Sequence, residues 1–265
     1  MPAAELNGLK LEYIDTGGDG TPLLLIHGFP FHRHMWDPQV EVLGKSFRLL
    51  VPDLKGFGSS EAPEDRSTYT VDSYADEIKA VLDHAGVEKA VIAGLSMGGY
   101  VALAFMRKYP DAAAALVLAN TRAEADPPAG IEKRTNQQNQ VGSEGIAGLI
   151  EAMPGALLSE KTKANHPDVA DRVRAVMDSP PAGYIGALEA MKQRPDSSGG
   201  LSSIKVPTLV IVGEDDPLIP ADASRTLHEA IGGSKLVVIP EVGHLSNLEA
   251  PQAFNKALEE FLSDL

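Results

Sequence analysis

The chain of 265 residues contains no cysteine. That excludes disulfide staples, thiol nucleophiles and cysteine-ligated metals, while leaving the redox compartment unassigned. Positive charge is scarce: 23 Lys and Arg stand against 37 Asp and Glu, for a formal charge of −14. Nucleic acid and anionic membrane surfaces both need a basic face, so neither is expected as a partner. Long hydrophobic runs are missing too. Apolar runs such as Leu23–Ile26 and Thr208–Val212 have the length of strands rather than of a membrane span. The opening Met-Pro-Ala-Ala-Glu-Leu-Asn-Gly has neither the basic region nor the apolar core of a secretory signal, and a cytoplasmic location is expected. What is present is an ordinary soluble composition, 43% apolar and 23% charged, at a length that suits one domain, alone or with an insertion.

Strand and helix patterns alternate through the first 120 residues. Leu9–Asp15 reads as a strand followed by a hairpin-type turn at Gly17–Gly20. Pro22–Ile26 reads as a buried strand, Met35–Leu43 as a short helix and Phe47–Pro52 as a strand. In Thr70–Ala85, Val71, Tyr74, Ile78, Val81 and Leu82 recur at helical spacing. Ala90–Leu95 and Ala115–Leu118 are strands around a helix at Met97–Lys108. The alternation returns with a strand at Thr208–Val212, a helix at Ala221–Ala230, a strand at Lys235–Ile239 and a closing helix at Pro251–Leu262. Crossovers of this length join parallel strands. Residues 121–204 carry no strand pattern and are broken into helical pieces by Pro127-Pro128, Pro154, Pro167, Pro180-Pro181 and Pro195. The expected organisation is a core of residues 1–120 and 205–265, with 121–204 as an all-helical cap over the carboxyl edge of the sheet, where open parallel sheets bind ligands. The cap holds nine Lys and Arg against eleven Asp and Glu, which makes it the cation-rich part of an acidic chain.

The chemistry starts at Val91–Gly99, V-I-A-G-L-S-M-G-G. Gly-x-Ser-x-Gly between a strand and a helix is a nucleophile elbow, a tight turn that pushes the serine out of the sheet edge. Two glycines opening a helix each cost about 1 kcal/mol against alanine, a loss that close backbone packing explains. A serine hydroxyl needs a base, and the base needs an orienting group. Both follow in the chain order such an elbow calls for: Gly213-Glu214-Asp215-Asp216 comes after one late apolar strand, and Gly243-His244 after the next. His244 is the expected base and Asp216 the expected acid, with Asp215 the alternative. His84, His166 and His228 sit in polar or helical stretches and read as bland. His32 and His34 are two apart, but Arg33 between them repels a cation and no third ligand falls at a recognisable spacing, so no metal site is expected. The oxyanion donors are expected from the Met97 N–H, at a helix N-terminus, and from Phe29 in the loop after Leu23–Ile26. His27 reads as structural. Phe29, Phe31 and Trp36 suggest an apolar wall, which makes Trp36 a candidate substrate contact.

With His27-Gly28-Phe29-Pro30, Asp53-x-x-Gly56-x-Gly58-x-Ser60, Gly94-Leu95-Ser96-Met97-Gly98-Gly99, Gly213-x-x-Asp216-x-x-x-Pro220 and Gly243-His244, the chain resembles the α/β-hydrolase superfamily. The resemblance spans nearly all of the chain outside the cap, and is strongest to small cofactor-free bacterial esterases, enol-lactonases and perhydrolases. It implies a mostly parallel central sheet flanked by helices, an inserted helical cap, and a Ser96–His244–Asp216 triad with Phe29 and Met97 as oxyanion donors. It also implies no cofactor, and a structural Asp53 that binds backbone amides. Dehalogenases and epoxide hydrolases resemble the chain as well, but they carry aspartate where Ser96 stands, which disfavours both activities.

The first expectation is therefore a carboxylic ester hydrolase, acting on short to medium acyl or aromatic esters through an acyl-enzyme on Ser96. A lactonase, 3-oxoadipate enol-lactonase in the first instance, is the alternative; a dicarboxylate-derived substrate would want a cation over the pocket, with Arg122 the candidate and Arg134 behind it. Perhydrolase or metal-free haloperoxidase chemistry uses the same triad with peroxide replacing water. A non-enzymatic ligand receptor on the same scaffold has no residue in its favour. A small ester or lactone is the expected partner, and the resemblance allows a homodimer without showing an interface.

Overall fold

The structure, a computed structural model, describes residues 2–6 and 8–265. Eight strands form one sheet: β1 (Ala3–Leu6), β2 (Leu9–Asp15), β3 (Leu23–Ile26), β4 (Leu49–Pro52), β5 (Ala90–Leu95), β6 (Ala113–Ala119), β7 (Thr208–Gly213) and β8 (Lys235–Ile239). Their spatial order is β1-β2-β4-β3-β5-β6-β7-β8, with the β1–β2 and β2–β4 pairs antiparallel and the remaining pairs parallel. The turn-rich stretch Gly17–Gly20 joins β2 to β3, which are not neighbours, and this corrects the hairpin expected there. The hairpin lies one strand earlier, where β1 runs back along β2 with Leu6 opposite Leu9.

Central strands are buried on both faces, so they read as continuous apolar runs, and alternate residues feed two separate cores. Leu24, Ile26 and Ile92 point to one core, packed under α2 (Val71–His84), α3 (Met97–Lys108) and α9 (Ala221–Ala230). Leu23, Leu25, Val91 and Ala93 point to the other, under α1 (Asp37–Leu43), the short α10 (Ser246–Glu249) and α11 (Pro251–Ser263). The start of α2 is fixed by a reciprocal capping box between Thr70 and Ser73, and its buried face includes the five residues that recur at helical spacing.

Between β6 and β7 the described chain holds α4 (Pro128–Glu144), α5 (Ala147–Leu157), α6 (Glu160–Asn165), α7 (Pro167–Ala175), α8 (Pro181–Lys192) and a 3-10 turn, with no strand. Helix α8 sits on the loop after β4 with backbone against backbone. A Cβ on Gly56 or on Gly183 would fall inside the other's main chain, and one on Gly186 would strike the Tyr69 ring. The linker before α8 is tied to the same region by Ser179 Oγ, which accepts the Gly58 N–H at 3.1 Å.

From β3 the chain crosses to β4 on one side, then returns past β3 to β5 on the other. Loops leaving β3 and β5 therefore diverge, and the crevice between them is where an open parallel sheet receives ligand. Both Phe29 and Ser96 stand at that crevice.

Candidate active site

Ser96 follows β5 with φ 55° and ψ −114°, a left-handed conformation that non-glycine residues adopt at a cost of order 1–3 kcal/mol. It is held by the Ser96 N–H to Ala119 O bond at 2.9 Å and by Thr121 Oγ1, which donates to Ser96 O at 2.8 Å. The turn closes because Gly94 lies against the Gly98 carbonyl and Gly98 against the carbonyls of Ile26 and His27, leaving no room for a Cβ at either. Ser96 is 8% exposed, and its hydroxyl opens on a cavity of about 430 Å³.

Asp216 and His244 come together from the loops after β7 and β8. His244 Nδ1 lies 2.8 Å from Asp216 Oδ2, and the two residues are 2% and 8% exposed. An ionised carboxylate only accepts, so Nδ1 carries the proton and the Nε2 lone pair is free to act as a base. Asp216 Oδ1 accepts the Leu218 and Ile219 N–H groups at 2.8 and 2.9 Å, and Oδ2 also accepts Asn120 Nδ2 at 2.9 Å. Burial pushes the Asp216 carboxyl up, but the neighbouring His244, the Ile219 amide and the Asn120 amide outweigh it and hold the group below its ordinary value. Asp215 is exposed and its N–H is spent on Val242 O, so the pairing with His244 belongs to Asp216.

Ser96, Phe29, Leu157 and Ile219 line one cavity. The His244 backbone N–H donates to Leu157 O at 2.8 Å and the Ile219 N–H to Asp216 Oδ1 at 2.9 Å, so the His244–Asp216 pair is bonded to two residues of that cavity's wall. The resting Ser96 hydroxyl makes no hydrogen bond to His244, whose ring bonds only Asp216 among the described residues. Such contacts are often loose before substrate is bound.

Gly28 brings the loop after β3 against the elbow: a Cβ there would lie 3.1 Å from Leu95 O and 3.4 Å from Ser96 Cβ. Phe29 therefore sits beside Ser96 and lines the cavity, while Met97, as the first residue of α3, offers one of the N–H groups that a helix leaves unpaired. His27 secures the loop, accepting the Leu54 N–H at Nε2 and donating from Nδ1 to Gly28 O, both at 3.0 Å. Burial pushes its pKa down to about 4, so it is neutral at pH 7. Asp53 accepts the Arg33 N–H at 2.7 Å and the Ser59 N–H at 2.8 Å and pairs with the buried Arg33 side chain, which makes it a loop anchor.

Trp36 departs from expectation. It is 1% exposed, packs on Phe254 with ring centroids 5.9 Å apart, and belongs to the core under α1 and α11. The 3-10 turn Arg33–Trp36 rotates it away from the cavity, and Phe31 is buried in the same core. Of the three aromatics only Phe29 lines the cavity. His32 Nε2 bonds Asp178 at 2.8 Å, and His34 Nδ1 bonds Asp37 at 2.9 Å.

Arg122 does line the cavity, as does Arg134. Both bind Asp126, Arg122 Nη2 to Oδ1 at 2.7 Å and Arg134 Nε to Oδ2, and Arg194 Nη2 joins them at 2.9 Å from Oδ1. The Asp126 hub and Asn120 escaped the sequence reading. Asn120 had one available signal, an asparagine closing a strand, because asparagine tolerates the left-handed φ of 45° found there.

Residues 21–251 match the family model described as alpha/beta hydrolase fold, and the chain belongs to this family, in its esterase and enol-lactonase group. A thermophilic esterase from Thermogutta terrifontis, solved with malate bound, is 39% identical with a TM-score of 0.94, over 99% of this chain and 98% of that one. The enol-lactonase of Burkholderia xenovorans LB400 is 30% identical with a TM-score of 0.91, over 99% and 100%. Among curated sequences, 3-oxoadipate enol-lactonase 1 of Acinetobacter baylyi is 28% identical over 261 residues, 97% of this chain and 95% of its own.

Proposed function

We propose that the protein is a serine carboxylic ester hydrolase. His244 Nε2 takes the Ser96 proton as Oγ attacks the ester carbonyl. The Met97 and Phe29 N–H groups hold the oxyanion, and Asp216 keeps the imidazole in the Nδ1–H tautomer and balances its charge. The protonated His244 then gives its proton to the leaving alcohol. Water, deprotonated by the same Nε2, attacks the acyl-enzyme and frees the acid and Ser96. The helices between β6 and β7 act as the cap that closes the reacting centre, and their inner side chains select the substrate.

The observations that support this reading are the buried His244–Asp216 contact and a serine held at positive φ on a strand-to-helix turn. Ser96→Ala should keep its fold and lose on the order of 10⁴-fold or more in turnover of p-nitrophenyl butyrate. Turnover that survives this substitution rules the mechanism out.

A lactone offers the same groups a carbonyl in a ring, and hydrolysis then leaves acid and alcohol on one product. This second reading draws on the cations in the cavity wall, and rate comparison of lactones with and without a free carboxylate tests it.

A further inference from the structure

The charge inside the cavity runs opposite to that of the whole molecule. The chain carries −14, yet the side chains charged at neutral pH that line the cavity are Arg122, Lys133, Arg134 and Asp126, three cations to one anion. Asp126 is committed already. Its two oxygens serve the guanidiniums of Arg122, Arg134 and Arg194, and one carboxylate cannot neutralise three.

Arg194 is the deep member, 5% exposed, with its guanidinium 4.1 Å from the centroid of the Tyr100 ring, itself part of the cavity wall. Nε of Arg122 and Nε of Arg194 are both buried without a hydrogen-bond partner. Glu124 lies nearby, and its carbonyl accepts Arg194 Nη2 at 2.8 Å; its carboxylate, with Oε2 likewise buried and unpartnered, makes no ion pair within 4 Å among the described residues. Burying cations without full compensation is costly, and a free carboxylate suits a guanidinium fork.

Placement matches this chemistry. Arg122 directly follows Thr121, whose hydroxyl bonds the Ser96 carbonyl, and Tyr100 stands one helical turn after Ser96 on α3. Ser96, Tyr100 and Arg122 thus line one cavity, with the uncompensated charge in the same wall as the nucleophile.

We propose that this wall is an anion subsite, with Arg122 and Arg134 as its specificity-determining residues and Lys133 at its mouth. It selects esters or lactones that carry a free carboxylate at the end remote from the scissile bond. The inference rests on the hydrolase reading for the identity of the reacting group. The subsite itself can be tested without turnover.

Calorimetric titration of the Ser96→Ala protein with adipate, and with its neutral dimethyl ester, reads the subsite directly. Adipate should bind about tenfold or more tightly than the diester and weaken as salt is raised, and Arg122→Gln added to Ser96→Ala should remove that advantage. Arg122→Lys, which keeps the charge but loses the fork, should retain part of it. In the Ser96 enzyme, the ratio of kcat/KM for mono-p-nitrophenyl glutarate to that for p-nitrophenyl butyrate should exceed one and fall about tenfold in Arg122→Gln. Lys133→Gln, on an exposed side chain, should lower the same ratio should Arg122→Gln fail to fold. Equal affinity for adipate and its diester, or a ratio indifferent to every variant, overturns the subsite even if butyrate is hydrolysed. Tight adipate binding without hydrolysis of any ester keeps the subsite and removes the hydrolase reading.

Discussion

Replacing Asn120 with alanine probes how the pairing of His244 and Asp216 is held. Asn120 is fully buried and makes three side-chain hydrogen bonds: Nδ2 to Asp216 Oδ2 at 2.9 Å, Nδ2 to Gly243 O at 3.3 Å, and Oδ1 from Ser246 Oγ at 2.6 Å. Alanine deprives the Gly243 carbonyl and the Ser246 hydroxyl of this partner, at about 1–3 kcal/mol each when buried. It also places a side chain with less tolerance at φ 45°, adding about 1 kcal/mol. The sum is about 3–7 kcal/mol, which for a chain of this size lowers Tm by roughly 6–28 °C. Asn120→Gly loses the same bonds but relieves the backbone, so it should be less destabilised than the alanine variant by about 1 kcal/mol.

Catalysis adds a readout that plain destabilisation does not. The Asn120 amide helps hold the Asp216 carboxyl below its ordinary value, so its removal raises that pKa and moves the acid limb of kcat/KM to higher pH. Urea unfolding, scanning calorimetry and a pH–rate profile on p-nitrophenyl butyrate measure these effects. Unfolding within about 1 kcal/mol of wild type, together with an unmoved acid limb, refutes the reasoning.

Three further outcomes follow. Gly98→Ala forces a methyl against the Ile26 carbonyl, and the elbow must open. Activity should fall far more than helix content, as read by turnover beside far-UV circular dichroism, and full activity contradicts the packing. His27 has a folded pKa of about 4 against an ordinary 6.5, so its contribution to stability is complete above 6.5 and is lost as pH falls through 4. The loss is about 3 kcal/mol, and a scan of Tm against pH should show a slope in that window that His27→Gln flattens. Trp36→Phe should cost about 1–2 kcal/mol in urea unfolding while the preference among p-nitrophenyl chain lengths holds; an altered preference at unchanged stability would return Trp36 to the cavity wall.

What the sequence reveals is set by distance along the chain. The Ser96 elbow is local, since its glycines lie two and three residues away, and β5, α3, α9 and β8 match the ranges read from the pattern. Asp216 and His244 are distant from Ser96 but obey a chain order that the fold imposes. Asp126 has no such rule: its partners at 122, 134 and 194 meet only when helices pack, and each alone looks like a solvated charge. Trp36 failed for the reverse reason, because nearness to Phe29 in sequence says nothing about which side of a 3-10 turn it leaves from. Lys55 and Glu77, a buried pair 3.1 Å apart, were hidden in the same way. Strand order was hidden as well, because β2 and β3 are consecutive but separated by β4.

The seat of α8 on the loop after β4 decides where the door to the cavity beside Ser96 hangs. With glycine backbone meeting glycine backbone at residues 56 and 183, no rotamer can yield, so that helix serves as the doorpost. The facing wall falls to α4 and α5, whose residues lining the cavity include Lys133, Arg134, Gly148, Ala152 and Ala156. Larger side chains along α5 would then narrow the passage and change which molecules are admitted, while the post and the reacting groups behind it stay as they are.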